Sequence, residues 1–106
     1  MAHIVITAAA DEDTAFIIDD LAGKAGGRVA LRYDADFDAA YRRLEQFPKS
    51  GAPRRQLGAT VRMVVVPPYA IFYRYVETDD SVLVQRILHT SRNITRRMLR
   101  EPPSQP

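Results

Sequence analysis

The chain has 106 residues, 46% of them hydrophobic and 26% charged, the size and composition of one small globular unit with a modest core. It contains no cysteine, which excludes a disulfide framework, a thiolate zinc site and a thiol nucleophile. A net charge of +2 conceals a segregation: residues 1–40 hold eight carboxylates against three cations, and residues 41–106 hold five against twelve.

Thirteen of the fifteen cations are arginine. A guanidinium offers a planar fork that grips phosphate or carboxylate bidentately, so arginines gathered in one half point to an anionic partner. A GC-rich genome explains the preference over lysine equally well, but not the segregation. The N-terminus lacks a basic start followed by an apolar stretch, so no secretory signal is expected. The longest apolar run, Met63 to Pro68, falls far short of the roughly 20 residues that span a bilayer. The expectation is a soluble cytoplasmic protein with no membrane association, cofactor or metal.

The β-branched "HIVIT" near the start reads as a first strand. The acidic "DEDT" then opens a helix, its carboxylates placed where the dipole and free amides favour them. Thr14, Ile17, Ile18 and Leu21 form its apolar stripe, and "AGKAGG" ends it. A second helix is predicted from about Arg28 to Phe47, with Val29, Tyr33, Phe37, Ala40, Tyr41, Leu44 and Phe47 on one face and Pro48 just beyond. Joined so tightly, the two helices read as a hairpin.

"PKSGAPRRQLGA" is a polar, basic loop. Three strands follow, near Val61–Val66, Tyr69–Glu77 and Val82–His89, and their short links imply antiparallel hairpins. A short last helix over "NITRRMLR" has Asn93 as its expected cap, and "EPPSQP" reads as a disordered tail. The fold class is therefore α+β, of order β-α-α-β-β-β. The helix hairpin packs on one face of a small, antiparallel-rich four-stranded sheet, with residues 1–100 as a single domain and 101–106 as the tail.

In the strand "YAIFYRYVE", Tyr69, Ile71, Tyr73 and Tyr75 fall on one side, and Ala70, Phe72, Arg74 and Val76 on the other. One face is expected to be buried, with Arg62, Arg74 or Arg86 on the other face or its rim. Arg62 and Arg74 either contact a target or are solvated and paired with a carboxylate such as Glu77. The tyrosines serve as packing for the helix stripe or as a stacking platform. His89 either acts as a base or hydrogen-bonds nearby backbone at a strand end.

Taken in order, "LEQFPKSGAPR", "VRMVVVPPYAIFYRYVE" and "VLVQRILHTSR" resemble the ParE/RelE superfamily of bacterial toxins, the ParE branch more closely. The matching positions are Phe47-Pro48, Gly51 to Arg55, Arg62, Tyr69 to Arg74, and Ile87-Leu88-His89 with Arg92. Together they span about residues 3–95. The resemblance implies the toxin of a type II toxin–antitoxin pair, whose RelE-like members cleave mRNA on the ribosome and whose ParE-like members inhibit DNA gyrase by binding. Cleavage requires a base for the 2′-hydroxyl, an acid for the leaving oxygen and cations for the transition state.

Two departures favour the binding branch. Ala70 stands where the superfamily often has arginine, and no tyrosine follows Tyr75. The resemblance then implies target contacts through Arg62, Arg74, Arg86, His89, Arg92, Arg96 and Arg97. It implies no catalytic residue, or Arg62, Arg74 and His89 if the chain is a ribonuclease. It further implies a ParD-like antitoxin folding along Ile17, Leu21, Tyr33, Phe37, Tyr41 and Leu44, with operator DNA bound only through that antitoxin. A member that keeps the antitoxin-binding fold but little toxicity is a third possibility.

Overall fold

The computed structural model describes residues 1–100; the expected disordered tail, 101–106, lies outside the described residues. Strand β1 (His3–Ile6) leads directly into helix α1 (Ala8–Ala25). Thr7 makes the junction. Its hydroxyl accepts the Ala10 N–H at 3.1 Å, capping the helix, and donates to the Val84 carbonyl at 2.9 Å, tying the start of α1 to the sheet. The helix thus begins ahead of the acidic cluster predicted to open it. Asp11 lies in the first turn, complementing the dipole, while threonine satisfies the orphan amide.

α1 continues through Gly23 to Ala25, and helix α2 (Gly27–Gln46) follows after one residue. Gly26 turns the chain at φ 94°, a backbone region that residues with a Cβ rarely enter. The two helices pack together and cover one face of a five-stranded sheet of order β1-β5-β4-β3-β2. β3 (Val61–Val66), β4 (Tyr69–Val76) and β5 (Ser81–His89) are antiparallel neighbours, while β1 joins β5 in parallel, His3–Ile6 against Ser81–Val84.

The fifth strand, β2 (Ala52–Pro53), pairs with Arg62 and Met63 at the far edge. The sequence reading has four strands because a two-residue strand inside a Pro/Gly loop carries no periodicity. The same loop holds a 3-10 turn, Arg55–Leu57. The last helix, α3 (Arg96–Arg100), is shorter than predicted and begins after Asn93, the expected cap. No helix among the described residues is long and apolar enough to cross a membrane.

Both faces of β4 are buried, where one was expected. On the hairpin side Ile17, Phe37, Tyr41 and Leu44 pack against Tyr69, Ile71, Tyr73, Val82, Val84 and Ile87. On the other side the 3-10 turn and α3 fold back over the sheet, so Leu57 and Leu99 close over Val61, Ala70, Phe72 and Leu88. Phe47 leaves the predicted stripe: as the C-cap of α2 it is 59% exposed. Phe72 faces Arg86 but Tyr73 faces Val84, so Gln85 is the extra residue of a β-bulge.

Candidate functional site

The candidate residues divide by what their polar groups already hold. Arg62, on β3, donates from Nη1 to the carbonyls of Gly51 at 2.9 Å and Lys49 at 3.0 Å. Tyr73, from β4, completes the same device. Its hydroxyl accepts the Gly51 N–H at 2.9 Å and donates to the Pro48 carbonyl at 2.8 Å. The loop from Pro48 to Gly51 is therefore held from beneath by two side chains, and Arg62 is a positioning residue for it. Glu77, its suggested carboxylate partner, pairs with Lys49 instead, and that contact holds the Glu77 pKa below the usual range.

Arg86 departs furthest from the sequence reading. Predicted on an exposed face or rim, it is buried, and its guanidinium meets Asp13 of α1 bidentately, Nε to Oδ2 at 2.6 Å and Nη2 to Oδ1 at 2.8 Å. Nη1 donates to the Met98 carbonyl of α3 at 2.7 Å, and Asp13 also accepts the Ile87 N–H at 3.0 Å. With its donors spent inside the fold, Arg86 cannot reach a target. Asp13, read from sequence as one of the carboxylates that open a helix, becomes the carboxylate that joins α1 to β5. Its partner lies 73 residues away, a separation over which no local pattern links them.

His89 ends β5 with its ring edge-on to Tyr69, centroids 5.5 Å apart. Nδ1 accepts the Ser91 N–H at 3.1 Å and lies 2.7 Å from the Ser91 hydroxyl. A nitrogen accepting from a backbone amide carries no proton, so the neutral ring holds its proton on Nε2. In that tautomer Nε2 is a donor. Burial raises the pKa of Tyr69 beside it, and likewise that of Tyr73, so both phenols stay protonated near neutral pH.

A cleft of about 490 Å³ runs along this end of β5, lined by His89, Arg92, Glu12, Asp20, Phe16 and Tyr69. Two exposed or half-exposed carboxylates thus share the cleft with the histidine, and one of them, Asp20, pairs with Lys24 at 3.2 Å. Ala70 is fully buried under the α3 side of the sheet, so a cation at this position would have to displace packed apolar side chains. No group of three or more His, Cys, Asp or Glu side chains that could hold a metal ion occurs among the described residues.

Arg74, Arg92, Arg96 and Arg97 are exposed. Arg74 and Arg96 share a second cleft, of about 740 Å³, between the 3-10 turn and α3; Arg92 lines the first. Arg62, Arg74 and His89 line three different clefts. Arg55, also in the second cleft, was not singled out from sequence, where it was one basic residue of a loop.

The residues expected to meet an antitoxin are mostly core. Ile17, Phe37, Tyr41 and Leu44 are buried between the hairpin and the sheet, and only Leu21 and Tyr33 keep part of their surface. The helix stripe is consumed by the sheet because one amphipathic face can bury itself only once. The large apolar side chains left exposed on the hairpin are Phe16 and Leu31.

A family profile described as the ParE toxin of the type II toxin–antitoxin system, parDE, matches residues 4–94. Among solved structures, the chromosomal ParDE system of P. aeruginosa is similar at 23% identity and a TM-score of 0.71, covering 84% of this chain and 96% of that one. The RelBE2 toxin–antitoxin complex of Mycobacterium tuberculosis is similar at 21% identity and a TM-score of 0.60, covering 83% and 96%. No curated protein sequence matches significantly. The two structures share the fold; the family match, spanning both helices and all five strands, says that this chain belongs to the ParE toxin family of type II toxin–antitoxin systems.

Proposed function

We propose that the chain is a toxin that acts by binding DNA gyrase rather than by cutting RNA, and that a ParD-like antitoxin neutralises it. The observation that carries this reading is the locked histidine. A base for a 2′-hydroxyl must present an unprotonated nitrogen to it. Here that nitrogen is occupied by the Ser91 amide. Apolar packing also fills the place at Ala70 where relatives often carry a cation. Binding needs no such machinery, and Arg74, Arg92, Arg96 and Arg97 remain on the surface for it.

The antitoxin contact moves accordingly from the inner to the outer side of the hairpin. Phe16 and Leu31 are the apolar anchors, with Tyr33 and Leu21 contributing the surface they retain. Operator DNA would then be reached through the antitoxin.

The test is a supercoiling assay of purified chain with gyrase, ATP and relaxed plasmid, beside a ribosome-bound mRNA cleavage assay. Lost supercoiling with linearised plasmid and intact mRNA is the expected result. Untouched gyrase with mRNA cut on the ribosome overturns the proposal, and His89 then becomes the residue to mutate. If neither assay responds and expression of the chain alone leaves growth unaffected, both toxin readings fall.

A further inference from the structure

The charge segregation of the sequence becomes a segregation in space. α1 and α2, which cover one face of the sheet, carry nine carboxylates against five cations. Residues 47–100, which form the opposite covering and most of the sheet, carry ten cations against three carboxylates. A molecule with one acidic and one basic side is oriented by the field of a polyanion before it touches it.

On the basic side four guanidiniums converge from separate parts of the chain. Arg55 comes from the 3-10 turn, Arg74 from β4, and Arg96 and Arg100 from α3. All line the cleft of about 740 Å³ whose apolar wall is Leu57, Val61 and Leu99. Among the described residues, no carboxylate side chain lines this cleft. None of the four arginines makes a salt bridge among the described residues. The contrast with Arg62 and Arg86 is direct, since both of those spend their donors on their own chain. Four like charges gathered without a counter-charge repel one another, and an anion with several negative groups relieves that repulsion.

We infer that this cleft holds the phosphodiester backbone of a nucleic acid, so that the toxin grips nucleic acid itself. A backbone supplies one negative charge per nucleotide at regular spacing, with sugars that suit an apolar wall. An acidic peptide would need a run of carboxylates to match it. Gln85, the bulge residue, also lines the cleft, and its side-chain oxygen has no hydrogen-bond partner among the described residues. The inference builds on the gyrase reading only in naming the DNA that gyrase holds as the natural occupant.

The experiment is fluorescence anisotropy of the full chain with labelled duplex DNA, single-stranded DNA and RNA of equal length, between about 50 and 200 mM salt. If all four arginines neutralise phosphates, log K falls with log salt at a slope of about −3 to −4 for a duplex, about 0.9 per phosphate. Arg74→Ala and Arg96→Ala should each reduce the slope by about one, while Arg74→Lys largely retains it. Arg32→Ala, on α2 outside the cleft, should leave it unchanged. Circular dichroism of each variant separates lost binding from lost fold. The tightest-binding of the three at one salt concentration identifies which nucleic acid supplies the backbone.

A slope near zero overturns the inference, as does an unchanged slope in both alanine variants or equal competition by polyglutamate. Running the same variants in the supercoiling assay keeps the two readings apart. Gyrase inhibited without nucleic-acid binding sinks the cleft alone; nucleic acid bound with gyrase untouched sinks the gyrase reading alone.

Discussion

Gly51 is a glycine for reasons of space. A Cβ there would lie 2.6 Å from the Tyr73 hydroxyl and 2.7 Å from its ring, with the Met63 carbonyl at 3.0 Å. Tyr73 is fully buried and cannot swing away. Gly51→Ala is therefore expected to cost about 1–3 kcal/mol through overpacking, read as a lower urea midpoint at unchanged slope. A wild-type midpoint would mean that the loop shifts instead.

Tyr41 offers a residue-scale test in pH. Burial pushes its pKa up to about 12, against about 10 in an unfolded chain. The fold thus prefers the neutral phenol. Its contribution is complete below about pH 10 and is lost as pH rises toward 12, an effect of about 2–3 kcal/mol. Tyr41→Phe should flatten the alkaline limb of the stability curve; an equally steep limb would assign that loss to other tyrosines.

At the scale of elements, the decisive contact is Asp13 with Arg86. β1 covers β5 only from Ser81 to Val84. Beyond it the strand edge would stand open, and Asp13 closes it by accepting the Ile87 N–H. The same carboxylate neutralises Arg86, which in turn holds the Met98 carbonyl of α3. Asp13→Ala strands a buried guanidinium and is expected to cost about 3–5 kcal/mol, a large part of a typical domain's stability of about 5–15 kcal/mol. Asp13→Ala combined with Arg86→Met should recover much of that loss in a double-mutant cycle by urea denaturation. A strictly additive double mutant would show that the two residues act independently.

For the whole molecule, the question is which surface meets which partner. The acidic hairpin and the basic α3 side face different ways, so antitoxin and target can have separate docking sites. Phe16→Ser and Leu31→Ser remove exposed side chains and should change stability by less than about 0.5 kcal/mol. Both should weaken co-purification with the cognate antitoxin, while Leu31→Ser, outside the cleft that Phe16 shares with Arg92, should leave the proposed gyrase inhibition unchanged. A complex that survives both substitutions would place the antitoxin elsewhere.

The element order was legible because it rests on local physics: helical spacing in α2, strict alternation in β4, a glycine break and short strand links. The family was legible from the order of those pieces. What depended on long-range contact was not. The sequence placed Arg86 on the sheet's other face or its rim, yet its partner sits 73 residues away in the acidic cluster near the start of α1. It offered Phe37 and Leu44 to an antitoxin, because an apolar stripe is the same whether a sheet or a partner covers it. It also could not show that Arg55, Arg74, Arg96 and Arg100 line one cleft, since strand register and the fold-back of α3 bring them there. The chain's own periodicity thus set the elements, the hairpin and the charge balance. Which arginines are spent inside the fold and which remain for a ligand followed from how those elements pack, because a guanidinium's role depends on the oxygens it meets rather than on its neighbours in sequence.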